Sequence, residues 1–221
     1  MFDFDGVIAN SEPLHFQAFR HVLHEIGIAL PEDDYYTRYL GFDDVGVFRA
    51  VARRRNEIWS ADTTASLVDR KAVRLEALER GGSILFPGAE AAIRRLAAEM
   101  PLAIASGALK PEIHRVLERT DLAACFRAIV AAEDTHTSKP APDPYLKAVS
   151  FLGATIGTTL RCEECVAIED SQWGLQSARA AGLRTIAVTH TYPATSLPAA
   201  DLVIGNLDEL TLATVRRFDH A

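Results

Sequence analysis

The feature that most constrains the fold is a repeated unit, an apolar run of strand length that stops at a polar residue and is followed by a helix-spaced stretch. Met1-Phe-Asp3-Phe-Asp5 opens the chain in this way. Leu102-Ala-Ile-Ala-Ser106, Arg127-Ala-Ile-Val130 leading to Glu133 and Asp134, and Val166-Ala-Ile-Glu169-Asp170 repeat it, and Leu183–Val188 and Leu202–Ile204 supply two further strand candidates. Between them the spacing predicts helices over Ala89–Met100, Pro111–Arg119, Pro144–Leu152 and Gln172–Ala181. Strands that are apolar on both faces and alternate with helices predict an α/β fold, a parallel sheet core flanked by helices. In such a sheet the ligand lies outside the carboxyl ends of the strands, where these polar residues fall.

Local signals agree. Asp143 before Pro144 has the pattern of an N-cap with proline in the first helical position, and Gly182 is placed to stop the Gln172–Ala181 helix. Residues 13–82 break the alternation, since no strand pattern occurs there, while Leu14, Ala18, Val22 and Ile26, and later Leu67, Leu75 and Leu78, recur at helical spacing. This predicts a helical insert, 13–82, between two parts of an α/β core, 1–12 and 83–221. Following directly on the Asp3/Asp5 turn, the insert is expected to act as a lid at the catalytic edge, with hinges at Ser11 and Gly81-Gly82. Arg53-Arg-Arg55 within it reads as a solvated helix face.

Asp3 and Asp5 share one side of a strand, roughly 6 to 7 Å apart. One carboxylate of such a pair can attack an electrophile while the other moves a proton, and Gly6 lets the backbone turn where a side chain would obstruct a ligand. A formal net charge of −7 argues against binding a nucleic-acid backbone and favours a small molecule. No apolar run is long enough to span a bilayer and no leader pattern opens the chain, which points to a cytoplasmic protein; the opening strand is short enough that the natural chain is expected to begin earlier. The three cysteines include Cys162-Glu-Glu-Cys165, but no second pair completes a zinc site, and reduced thiols are expected. Calcium-loop, serine-elbow, dinucleotide and P-loop patterns are not in register with these residues.

Four segments in order, Asp3-Phe-Asp5-Gly6-Val7, Ser106-Gly107, Lys139-Pro140 and Glu169-Asp170, together with an insert between the first two, resemble the motifs of the haloacid dehalogenase-like hydrolases over nearly the whole chain. The resemblance implies a Rossmann-like core with a helical cap. It also implies a phosphoric monoester hydrolase in which Asp3 is the nucleophile that forms an aspartyl-phosphate and Asp5 is the general acid and base. Mg²⁺ would be held by Asp3, the Asp5 backbone carbonyl and Asp170, with Glu169 close by, and the phosphoryl oxygens by Ser106, the Gly107 amide and Lys139. Four carboxylates at one sheet edge repel each other unless a hard cation and a lysine balance them, which independently favours that assignment.

Ser11-Glu-Pro-Leu-His15 resembles the start of the cap in sugar-phosphate phosphatases and β-phosphoglucomutase, which implies that His15 lies at the mouth of the site; Lys71 resembles a basic residue of the mutase cap that touches substrate. Where the mutase has an arginine for its second phosphate this chain has Asp43-Asp44, two acids expected to repel that phosphate. The chain is therefore expected to hydrolyse a small phosphorylated metabolite, a sugar or polyol phosphate, as a monomer or weak dimer without nucleic-acid or membrane partners. The alternatives are a phosphosugar mutase and a catalytically silent binding module of the same fold.

Overall fold

The computed structural model describes residues 1–40, 42–80 and 84–218. It divides into two compact units, Met1–Asn10 with Ile84–Ala221, and Ser11–Ser83. The predicted hinge at Gly81-Gly82 lies outside the described residues.

The first unit is built on parallel strands β1 (Leu102–Ala105), β2 (Phe126–Val130), β3 (Val166–Glu169), β4 (Arg184–Val188) and β5 (Leu202–Ile204). β1 pairs with β2, and β3 with β4 and β4 with β5, every pair parallel. The opening segment joins the two groups. Phe2 bridges Ile104 on one side and Ile168 on the other, with Phe2 N–H donating to Ala103 O at 2.8 Å and Asp3 N–H to Ile168 O at 2.9 Å. The predicted first strand is thus reduced to these bridges, because the chain turns back at once: the Ile8 and Ala9 amides both donate to Phe4 O. The resulting order, β2, β1, the opening segment, β3, β4, β5, puts Asp3 at the middle of the sheet's carboxyl edge.

Helices cover this sheet. The predicted stretches form α5 (Ala89–Ala97), α6 (Lys110–Arg119), α7 (Asp143–Ile156) and α8 (Gln172–Ala180), with a short α9 (Leu212–Arg216) near the end of the described residues. One apolar cluster gathers Phe2, Phe4, Ile93, Leu96, Ile104, Ile113 and Ile186; another packs Tyr145, Ala148, Val149 and Leu152 of α7 against Ala103, Ala105 and Ala167 of the strands. Asp143 is not the N-cap of α7: the helix starts one residue earlier than predicted, and the Asp143 carboxylate instead accepts from Thr137 Oγ1 at 2.8 Å. Gly182, at φ +89°, follows α8 in the left-handed conformation expected of a helix stop.

The second unit contains α1 (Glu12–Glu25), α2 (Glu32–Arg38), α3 (Asp44–Arg54) and α4 (Ala61–Glu79) around Phe16, Phe19, Val22, Leu23, Tyr35, Phe48 and Leu67. The buried stripe of α1 is rotated from the predicted one: Ala18 and Val22 belong to it, whereas Ile26 is exposed and Phe16 and Phe19 fill the core. The larger aromatic rings win the interior because they bury more apolar surface. Arg53, Arg54 and Arg55 are exposed as predicted, Arg54 meeting Asp34 and Arg55 meeting Glu57. No helix among the described residues is long and apolar enough to cross a membrane, and all three cysteines are free thiols.

Candidate active site

At the carboxyl edge of the sheet, Asp3, Glu169 and Asp170 come together so that one carboxylate oxygen of each lies within 4.8 Å of the others. Each arrives for a local reason. Asp3 follows the residue that bridges β1 and β3, Glu169 ends β3, and Asp170 begins the turn into α8. Lys139 reaches into the group, its Nζ 2.9 Å from Asp3 Oδ1 and 2.6 Å from Glu169 Oε1. Tyr145 on α7 donates its hydroxyl to the same Glu169 oxygen at 2.6 Å, and the Lys139 ammonium lies 5.1 Å from the centre of the Tyr145 ring.

The electrostatics are those of buried like charges. Burial, then the neighbouring charges of Asp3 and Glu169, push the Asp170 carboxyl well above its usual range. Burial also raises Glu169 to about 7, with Lys139 opposing the shift and Asp3 adding to it. Burial acts to lower Lys139, but the Asp3 and Glu169 carboxylates outweigh it and hold the ammonium above its ordinary value. Three acids against one lysine leave an excess of negative charge on oxygen donors, an arrangement suited to a hard cation.

Two glycines make the crowding possible. Gly6, at φ +80°, packs so closely on Asp170 that a Cβ there would fall 2.0 Å from Oδ2. Gly174 in α8 gives way to Glu169 in the same manner, a Cβ falling 1.9 Å from Oε2. Ser171 caps α8 by accepting from Gly174 N–H at 3.1 Å.

The other predicted residues are placed as follows. Asp5 is half-buried in the turn closed by Gly6 N–H donating to Ala9 O at 2.9 Å. Ser106 follows β1, is buried, and its Oγ accepts from Ala108 N–H at 3.0 Å; Gly107 beside it is exposed, and a Cβ there would meet nothing within 4 Å. Glu133 and Asp134 turn to α6 instead, Asp134 meeting Lys110 Nζ at 2.9 Å.

His15 and Lys71 belong to the helical unit and meet there: Lys71 Nζ lies 2.8 Å from His15 Nδ1 and 2.8 Å from Asp44 Oδ1. Lys71 is fully buried, on the stripe of α4 that also holds Thr64, Leu67 and Leu75, with its ammonium 4.9 Å from the Phe19 ring centre. Burial, then the Lys71 charge, lowers His15 well below its ordinary value, so the imidazole is neutral. Asp43 and Asp44, the two acids expected to repel a second phosphate, both have partners within the helical unit. Asp43 caps α3, accepting from Gly46 N–H at 2.6 Å, and Asp44 is paired with Lys71.

Tyr145 was not predicted, although a tyrosine on a buried helix stripe needs a partner for its hydroxyl, and the nearest strand end carries a carboxylate. Thr191 was not predicted either; its side chain hydrogen-bonds Asp170. It lies just past β4, and the carboxyl-end rule applied to that strand would have found it.

Residues 1–188 match the family model described as haloacid dehalogenase-like hydrolase. Hexitol phosphatase B of Escherichia coli K12 is 30% identical over 216 residues, covering 96% of this chain and 93% of its own. A variant of CbbY from Rhodobacter sphaeroides, solved with xylulose-1,5-bisphosphate, superposes with a TM-score of 0.84 at 26% identity, covering 97% of this chain and 96% of its own. A β-phosphoglucomutase from Clostridium difficile shares the fold with a TM-score of 0.83 at 19% identity, covering 99% of this chain and 95% of its own. Motif order, sheet topology and these matches agree: the chain belongs to the haloacid dehalogenase-like hydrolases.

Proposed function

We propose that this hydrolase is a Mg²⁺-dependent phosphatase acting on a small phosphorylated sugar or polyol through an aspartyl-phosphate on Asp3. The observation that carries the reading is Lys139 between Asp3 and Glu169 with Asp170 in the same cluster. A lysine and a cation site on one carboxylate can bring a dianionic phosphate to an oxygen nucleophile that would otherwise repel it.

The cluster fits Mg²⁺ because its donors are all oxygen and carry excess negative charge; Asp3, Asp170 and the Asp5 carbonyl would hold the ion, with Glu169 beside them. Bound there, Mg²⁺ supplies neutralisation of charge on the transferring phosphoryl group. An Asp3 carboxylate oxygen bonds to phosphorus as the ester P–O bond breaks, and Asp5 gives its proton to the leaving oxygen. Water then attacks the acyl phosphate while Asp5 takes the water's proton, which releases inorganic phosphate and restores Asp3. Ser106, the Gly107 amide and Lys139 hold the phosphoryl oxygens.

In this reading the helical unit serves as the cap, and the Lys71 ammonium within it is committed to Asp44 and His15. Pairing with Asp44 leaves Lys71 with little net charge to offer a second phosphate, which favours hydrolysis over the mutase reaction. Hexitol phosphatase B among the relatives supports a phosphorylated sugar or polyol as substrate.

The test is phosphate release from sugar phosphates, polyol phosphates, a sugar bisphosphate, phosphoglycolate and nucleotides, with and without Mg²⁺, while sugar-phosphate isomerisation is followed in parallel. Mg²⁺-dependent release from a sugar or polyol phosphate is expected. Isomerisation without release would replace this reading by the mutase, and absence of any reaction by the binding module.

A further inference from the structure

The segment after β4, Thr189-His190-Thr191, lies at the carboxyl edge of the sheet, and no role has been given to its histidine. His190 is held on two sides. Its ring stacks on Phe86 with centroids 3.9 Å apart and planes 17° from parallel, and its Nδ1 lies 3.0 Å from Gly6 O. A carbonyl oxygen only accepts, so Nδ1 carries the proton and His190 donates. Gly6 is the residue that ends the Asp3-Phe-Asp5 segment, and its other face packs against the Asp170 carboxylate. The next residue, Thr191, hydrogen-bonds Asp170.

One short loop therefore holds both halves of the crowded contact, the Gly6 turn through His190 and the Asp170 side chain through Thr191. The left-handed Gly6 conformation, φ +80°, is otherwise tied on this side of the turn by its amide bond to Ala9 O at 2.9 Å. The His190 bond holds the Gly6–Val7 peptide plane and the Ala9 bond holds the Asp5–Gly6 plane, so together they fix the turn at Gly6 through which the chain leaves Asp5.

We propose that His190 is a positioning residue: its Nδ1–H bond to Gly6 O, braced by the stack on Phe86, sets the turn that aims Asp5. The inference rests on the proposed role of Asp5 as acid and base. Misplacing a proton-transfer group by about 1 Å is enough to cost on the order of 100-fold in rate, without a comparable effect on binding.

Two substitutions separate the hydrogen bond from the stack. His190→Asn keeps an N–H donor at nearly the place of Nδ1 and loses the ring. His190→Phe keeps a ring on Phe86 and loses the donor. With the best substrate of the phosphate-release panel, His190→Phe is expected to lower kcat by roughly tenfold or more with little change in KM, and His190→Asn to stay within about threefold of wild type. Amide hydrogen exchange over residues 4–9, read without substrate or metal, is expected to quicken in His190→Phe and not in His190→Asn. The exchange arm tests the clamp even if the wild-type protein releases no phosphate, so failure of the clamp and failure of the phosphatase reading are distinguishable. The proposal is overturned if His190→Phe keeps wild-type exchange over the turn, or if His190→Asn loses as much as His190→Phe, since then the ring packing and not the donor is what matters.

Discussion

Replacing Glu169 by Gln is expected to reverse part of the pH dependence of stability in the metal-free protein. Glu169 is fully buried and accepts from Lys139 and Tyr145, yet burial leaves its carboxyl raised from 4.5 to about 7. A carboxyl raised by folding binds its proton more tightly in the native state, so this contribution is fully present below the unfolded value and is lost as pH rises through the folded value. The span from 4.5 to about 7, at about 1.4 kcal/mol per pH unit, amounts to about 3 kcal/mol. The neutral glutamine keeps the shape and has no proton to lose. Urea unfolding in the presence of a chelator, at about pH 5 and about pH 8, is therefore expected to show the variant gaining about 2 to 3 kcal/mol on wild type between the two conditions. Comparing the two proteins cancels groups common to both, such as His15, which burial holds neutral and whose contribution rises with pH. Saturating Mg²⁺ should restore wild type selectively at the higher pH, because binding to the ionised cluster stabilises only the native state. A gap that stays constant or shrinks as pH rises would refute the picture of Glu169 as a strained buried acid.

Other outcomes follow from the same contacts. Gly174→Ala gains about 1 kcal/mol in helix propensity but drives a Cβ to 1.9 Å from Glu169 Oε2, so unfolding experiments should show a net loss of about 1 to 2 kcal/mol, and phosphate release should fall as Glu169 is displaced. Asp44→Ala leaves the fully buried Lys71 without its carboxylate and is expected to cost about 3 kcal/mol in the same assay, whereas Lys71→Met, which fills the space without charge, should cost less. Tyr145→Phe removes one of the two donors to Glu169 Oε1 and should destabilise by about 1 to 2 kcal/mol, with circular dichroism unchanged.

The sheet was legible because buried parallel strands are written as apolar runs, and the site was legible where such a run ends on a polar residue: Asp3, Ser106, Glu169 and Asp170 each stand at such an end. The sequence showed less where side chains answer to neighbours far along the chain. Lys71 resembles a solvated helix lysine until it is counted on the stripe of Thr64, Leu67 and Leu75, and only the fold brings Asp44 and His15 to its ammonium. Tyr145 and His190 act through partners 24 and 184 residues away in sequence, which no local pattern encodes. The first strand is shorter than its apolar run suggests because the chain folds back on Phe4 O after bridging both neighbours at Phe2. Asp143 was misread as a cap because Asp-Pro fits both the cap and the first helical turn, and the difference of one residue is set by the bond to Thr137.

Asp3 is the group proposed to receive the phosphoryl moiety. The most direct measurement is to mix the enzyme with Mg²⁺ and its best sugar or polyol phosphate, quench with acid during turnover, and map the protein by mass spectrometry alongside an Asp3→Asn variant. One phosphoryl group on the peptide carrying Asp3, absent from a variant that remains folded and inactive, is the predicted result. Full activity in Asp3→Asn, or a phosphoryl group on a different residue, would contradict it.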